Sequence, residues 1–285
     1  GFSIKSVDFL FIFFSFLIVF SFTRKIGYSN YLALSCSLTM IILLLGENFR
    51  WLIGRGIAPY MTLFLILLLS NLLLNNNLKN IFVIISTSIL GIIICWLREE
   101  KLLIVLSLIF LSTYSNQKNY ESFFSYLYQT FIHNNKKFLL YWFIILLGFP
   151  ILFEFRNYYY SGNFALISHR NVVGNELMEH FNLIVIFKSL YKLLMVAEWM
   201  QTPRILPLVL VPPFVLSLTS VFIPKIHKLF NIPALFLILL SLIMPIFVAD
   251  IAGIPKWSIY LLPFSIMINM IIFYKVFEKR IIKYS

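Results

Sequence analysis

The sequence predicts an all-α fold: a polytopic bundle of about nine or ten transmembrane helices forming a single integral membrane domain over residues 1–285. Three observations predict it. The chain is 61% hydrophobic and only 12% charged, whereas soluble domains run near one-quarter charged. Its apolar residues fall into runs of membrane-spanning length, and a bilayer solvates such side chains directly. Its basic residues, 23 Lys and Arg against 11 Asp and Glu, sit in short clusters between those runs. There they act as topology signals and headgroup contacts. The net charge of +12 therefore does not mark a nucleic-acid binder, which would carry a basic stripe on a soluble domain.

A helical span needs about 20 apolar residues, with a range of roughly 17–25. Runs near this length occur at about 7–22, 31–46, 58–74, 81–97, 138–155, 205–223, 232–249 and 258–277. The run 7–22 is followed by Arg24 and Lys25, the reverse of a signal peptide, whose positive charges come first. The shorter run 102–114 follows the charged turn Arg98-Glu99-Glu100-Lys101 and reads as the second arm of a hairpin. The run 183–197 is ambiguous. Lys188 and Lys192 share one helix face at i,i+4 spacing, so this helix either lies in the interface or spans with both lysines facing a polar cavity.

That ambiguity sets the topology. With 183–197 as a span there are ten spans and both chain ends are cytoplasmic, the arrangement favoured by the positive-inside rule. With 183–197 in the interface there are nine, and the N-terminus is outside. In both, the tail Lys275–Lys283 is cytoplasmic and Asp250 to Lys256 faces out. The expected location is the bacterial cytoplasmic (inner) membrane.

Two segments are polar enough to carry chemistry. Residues 115–137, with Tyr120, Tyr126 and Tyr128 among apolar neighbours, read as an interfacial segment anchored by aromatics. Residues 156–182 form the larger polar loop. Prolines crowd the C-terminal third, including Pro245 and Pro263. A proline inside a span frees a backbone carbonyl, and broken helices are tolerated at membrane depth only beside protein or a cavity.

The densest polar cluster is His169, Arg170 and Asn171 with Glu176, Glu179 and His180. A helix starting near Asn175 puts Glu176, Glu179 and His180 on one face. Carboxylate and imidazole there suit general acid–base work. His with two Glu also suits a metal, and a solvated helix start accounts for the acids equally well. Arg50, Arg55 and Arg156 lie just beyond span ends, and Arg204 opens a later one. Their planar forks fit phosphates, while snorkelling against headgroups is the plainer reading of any one of them. Glu47 and Glu154 pair readily with Arg50, Arg55 and Arg156 at the membrane edge. Asp250 ends a Pro245-bent span, where it is either a base or cation site or a partner of Lys256. Cys36 and Cys95 lie in apolar runs and read as small hydrophobes. No cofactor or resident metal is expected. The chain has no phosphate-cradling glycine loop, no HExxH and no nucleophile elbow.

The layout resembles the polytopic polymerases and related membrane glycosyltransferases of bacterial O-antigen and capsule assembly. The resemblance rests on the many spans without a soluble domain, the one sizeable polar loop, and SHRNVVGNEL at 168–177. That segment is similar to the short Arg/His–Asn–Gly patterns in external loops of the group. It implies action on sugars carried by undecaprenyl diphosphate, with loop arginines and histidines handling the anionic carrier. The partners expected are this lipid-linked oligosaccharide and membrane lipids, with no nucleic acid. His169, Arg170, Glu176, His180 and Asp250 are the catalytic candidates. Arg50, Arg55, Arg156 and Arg204 are the substrate-binding ones. The resemblance also requires the loop to face outward, as in the nine-span arrangement. The alternatives are a permease or flippase whose route is lined by Lys188, Lys192, Asp250 and Glu154, and a non-catalytic assembly subunit.

Overall fold

The computed structural model describes residues 3–25, 28–46, 53, 58–73, 81–97 and 258–284, with single positions between 140 and 162 and at 211 and 215. The described residues are all-helical with no strand. Five helices are complete: α1 (Ile4–Lys25), α2 (Asn30–Leu45), α3 (Ala58–Leu73), α4 (Ile81–Leu97) and α5 (Ser258–Tyr284). They coincide with the runs expected at 7–22, 31–46, 58–74, 81–97 and 258–277. Helical backbone also recurs at described positions from 140 to 160 and at 211 and 215. The runs 102–114, 183–197 and 232–249, and the segment 115–137, lie outside the described residues.

By length and composition, α1 is the described helix that can cross a membrane. It has 22 residues and places Arg24 and Lys25 in its last turn, where cations favour the negative end of the helix dipole. Segments Asn30–Leu45, Pro59–Leu73, Ile81–Leu97 and Leu262–Tyr274 are apolar but shorter. Helix α2 starts on Ser29, whose hydroxyl accepts from the Leu32 amide, satisfying one of the amides that a helix start leaves open.

Helix α1 packs against α2 and α3, α5 packs against α2 and more lightly against α3, and α4 lies on α3. The α1–α3 pair runs parallel. Asp8 acts electrostatically on Tyr60 near both starts. The ring of Phe64 sits 5.6 Å from Phe11 and 6.0 Å from Phe14 midway. Lys25 donates to Asn71 Oδ1 at 2.6 Å near both ends. Phe22 meets Phe264 edge-on at 6.2 Å, joining α1 to α5. Gly148 presses its backbone on α4, since a Cβ there would stand 2.7 Å from Ile92 Cδ1.

Two helices form the interior. In α5 every residue from Leu262 to Ile268 is buried, Pro263 included. In α3, Tyr60, Leu63, Ile66, Leu67 and Leu69 are fully buried. A helix buried all round has neighbours on every side. The outer helices show the reverse of a soluble amphipathic pattern. Their outward faces are large and apolar: Phe9, Phe13 and Leu17 on α1, Leu38 and Ile42 on α2, Phe82 and Ile89 on α4. Their buried faces carry the polar groups Asp8, Ser15, Thr23, Ser37, Thr87 and Ser88.

Candidate functional site

Two places in the described structure concentrate polar chemistry. The first is the helical stretch at 155–160, whose described positions are helical although 156–182 was expected as a polar loop. Helical backbone runs through 155–156 and 158–160 and ends at Gly162, which has φ +69°. The Gly162 amide donates to the Tyr158 carbonyl at 2.9 Å, the single bond of an αL cap. Only glycine takes this conformation without strain, and nothing lies within 4 Å of where its Cβ would be. The terminus is therefore specified by backbone geometry. On its last turns Phe155, Tyr158, Tyr159 and Tyr160 are exposed, while Arg156 is half-buried. The Tyr159 and Tyr160 rings stand edge-on at 5.1 Å. Three tyrosines beside an arginine make the kind of amphipathic belt that settles at a membrane–water boundary.

The second place is the α1–α3 interface. Asp8 and Tyr60 are both fully buried, and the carboxylate is close enough for its charge to act on the phenol. Ser15 follows Asp8 by seven residues, so two helical turns separate them along one face. Buried hydroxyls elsewhere return to the carbonyl four residues back: Thr23 to Val19 at 2.8 Å, Ser37 to Ala33 at 2.9 Å, Ser70 to Ile66 at 2.7 Å. This local bond satisfies a hydroxyl in an apolar setting. The hydroxyls of Ser15, Ser88 and Ser265 make no hydrogen bond among the described residues. Cys36 meets the Thr23 side chain between α1 and α2. Cys36 and Cys95 are buried free thiols on α2 and α4.

Of the nine residues singled out by sequence, Arg156 is among the described residues, half-buried on a helical turn. His169, Arg170, Glu176, His180, Asp250, Arg50, Arg55 and Arg204 lie outside the described residues, as do Glu47, Glu154, Lys188 and Lys192. No group of three or more His, Cys, Asp or Glu that could hold a metal occurs among the described residues. Sequence reasoning missed Asp8, which it absorbed into the run 7–22. The signal was present: a lone carboxylate inside an apolar run is a functional candidate by default, and its spacing to Ser15 marks a shared face.

No family model matches the chain, and no curated protein or solved structure is significantly similar to it.

Proposed function

We propose that this is a polytopic membrane enzyme, a polymerase or glycosyltransferase that transfers sugars carried on a polyprenyl diphosphate. The membrane part of this reading is supported by the inverted side-chain distribution, with phenylalanine, leucine and isoleucine outward and hydroxyls and a carboxylate inward. Exposed apolar area on this scale is unusual on a soluble protein. The observation that carries the chemical part is the end of the 155–162 helix. It holds half-buried Arg156 beside a tyrosine belt, on a glycine-capped terminus that precedes SHRNVVGNEL in the sequence.

A lipid diphosphate needs its anion held at headgroup level while its tail stays in the bilayer, and an arginine fork there binds phosphate in two-point fashion. For transfer, a base takes the proton of the acceptor hydroxyl, and His169, His180, Glu176 and Asp250 are the candidates. The acceptor oxygen then bonds to the anomeric carbon as the bond from that carbon to the diphosphate oxygen breaks. The polyprenyl diphosphate leaves with the electron pair, and the arginines offset the charge it gains.

Arg156→Ala is expected to reduce polymer made in cells by about 10- to 100-fold, the loss of one or two charge-assisted hydrogen bonds at roughly 1.5–3 kcal/mol. Arg156→Lys should recover part of it, since charge without the fork is a weaker phosphate ligand. Gel analysis of surface polysaccharide, with the membrane-inserted protein quantified alongside, reads the effect. An unchanged polymer yield in Arg156→Ala refutes the role.

One observation favours a second reading, a permease or flippase. A carboxylate fully buried in α1 is the feature expected along a translocation route. That reading expects liposomes containing the purified protein to move a fluorescent lipid-linked sugar between leaflets without consuming it, and Asp8→Asn to slow the movement at least tenfold. Equal rates for both proteins count against it.

A further inference from the structure

We propose that the helical turn before Gly162 binds the sugar ring joined directly to the carrier's diphosphate, with Tyr159 and Tyr160 as its stacking surface. This rests on the carrier reading above and names the part of the carrier that these two residues take.

The described positions from 147 to 160 are helical, so successive residues rise about 1.5 Å along the axis. Three kinds of chemistry follow one another in that direction. Leu147, Ile151, Leu152 and Phe155 are apolar and exposed. Half-buried Arg156 comes next. Tyr159 and Tyr160, 82% and 79% exposed, close the helix. A sugar on a polyprenyl diphosphate has the same order: hydrocarbon, anion, carbohydrate. Tyr159 and Tyr160 stand three and four residues after Arg156, the spacing that brings side chains onto one helix face. They lie about 4.5–6 Å beyond it along the axis. That is the step from a phosphorus atom to the centre of a sugar ring bonded through the phosphate oxygen. With the diphosphate on Arg156 and the tail along Phe155, the first sugar comes level with the two phenols.

The phenols have the chemistry to hold it. The axial C–H groups of a pyranose are weakly positive, and the face of an aromatic ring is negative. Each phenolic hydroxyl both donates to and accepts from sugar hydroxyls. The Tyr159 and Tyr160 rings stand at 90° with centroids 5.1 Å apart, so they form the two walls of a corner. The αL cap at Gly162 ends the helix just beyond them and fixes the turn that carries both rings.

The test is binding of three synthetic probes to the full chain in lipid nanodiscs: a bare polyprenyl diphosphate, and the same lipid carrying one hexose or one N-acetylhexosamine. The wild-type chain should bind a glycosylated probe about 2- to 10-fold more tightly than the bare one, the range of one aromatic contact. Tyr159→Leu and Tyr160→Leu keep apolar bulk at the membrane boundary and remove the ring. Each should lose most of that preference and leave the affinity for the bare probe unchanged. Tyr159→Phe and Tyr160→Phe should retain most of it. Equal wild-type affinity for all three probes overturns the proposal. Equal loss of every probe in the leucine variants overturns it too, since that is the mark of a boundary anchor. Either result, with bare-probe binding still weakened by Arg156→Ala, leaves the carrier reading standing. If the bare probe does not bind the wild-type chain, the carrier reading fails and this proposal falls with it.

Discussion

Phe264→Ala is expected to destabilise the folded bundle by about 3–5 kcal/mol, the range for removing a fully buried aromatic ring and leaving a cavity. Phe264 is 0% exposed and meets Phe22, itself 0% exposed, across the α1–α5 contact. Loss of the ring removes its dispersion contacts on all sides, because α5 is buried around its whole circumference at this level. It also removes an edge-to-face pair of about 0.5–1.5 kcal/mol. Phe273→Ala provides the internal comparison. That ring is 60% exposed, and its removal should cost less than about 1 kcal/mol. Thermal unfolding in detergent, followed by aggregation or by burial-dependent thiol reactivity, measures both. Similar midpoints for the two variants would refute the interior placement of α5.

Arg170→Ala is expected to abolish polymer while the protein inserts at normal levels. Arg170 lies within the segment SHRNVVGNEL, directly after His169, the candidate base that is its neighbour. An arginine that holds the diphosphate through the transition state acts where charge develops, and removing one such group costs about 10²–10³ in rate. For a polymer built by repeated transfers, a loss of that size per step eliminates long chains altogether. Normal chain length in Arg170→Ala, with equal protein in the membrane, would sink the enzymatic reading.

The helices were legible because run length alone identifies them. Their ends were less so. The run 258–277 continues as helix to Tyr284, since Lys, Arg and Glu are good helix formers and hydropathy stops counting where charge begins. Which helices lie inside was not legible. In α3 and α5 every face is largely apolar, and so is the exposed side of α1, so periodicity cannot separate buried faces from exposed ones. The meeting of α1 with α5 was hidden for a related reason: the Phe22–Phe264 pair joins residues 242 positions apart, and no local pattern encodes it. At the candidate site, Arg156 was singled out from its place after an apolar run, while the φ of +69° at Gly162 is a backbone feature that run length does not show. Asp8 was overlooked because one carboxylate barely changes the average of a long apolar run, although its burial makes it the costliest group in that helix.

The central position of α5 bears on how the molecule is made. During synthesis α1, α2 and α3 leave the ribosome more than 180 residues ahead of α5, yet α5 packs against α2 and, more lightly, against α3. The early helices are therefore made long before Phe264, the ring that meets Phe22. Final assembly closes when a late, proline-bearing helix packs against elements made long before it. Chains cut short ahead of Ser258 would leave the surfaces of α2 and α3 that α5 covers open to quality-control proteases.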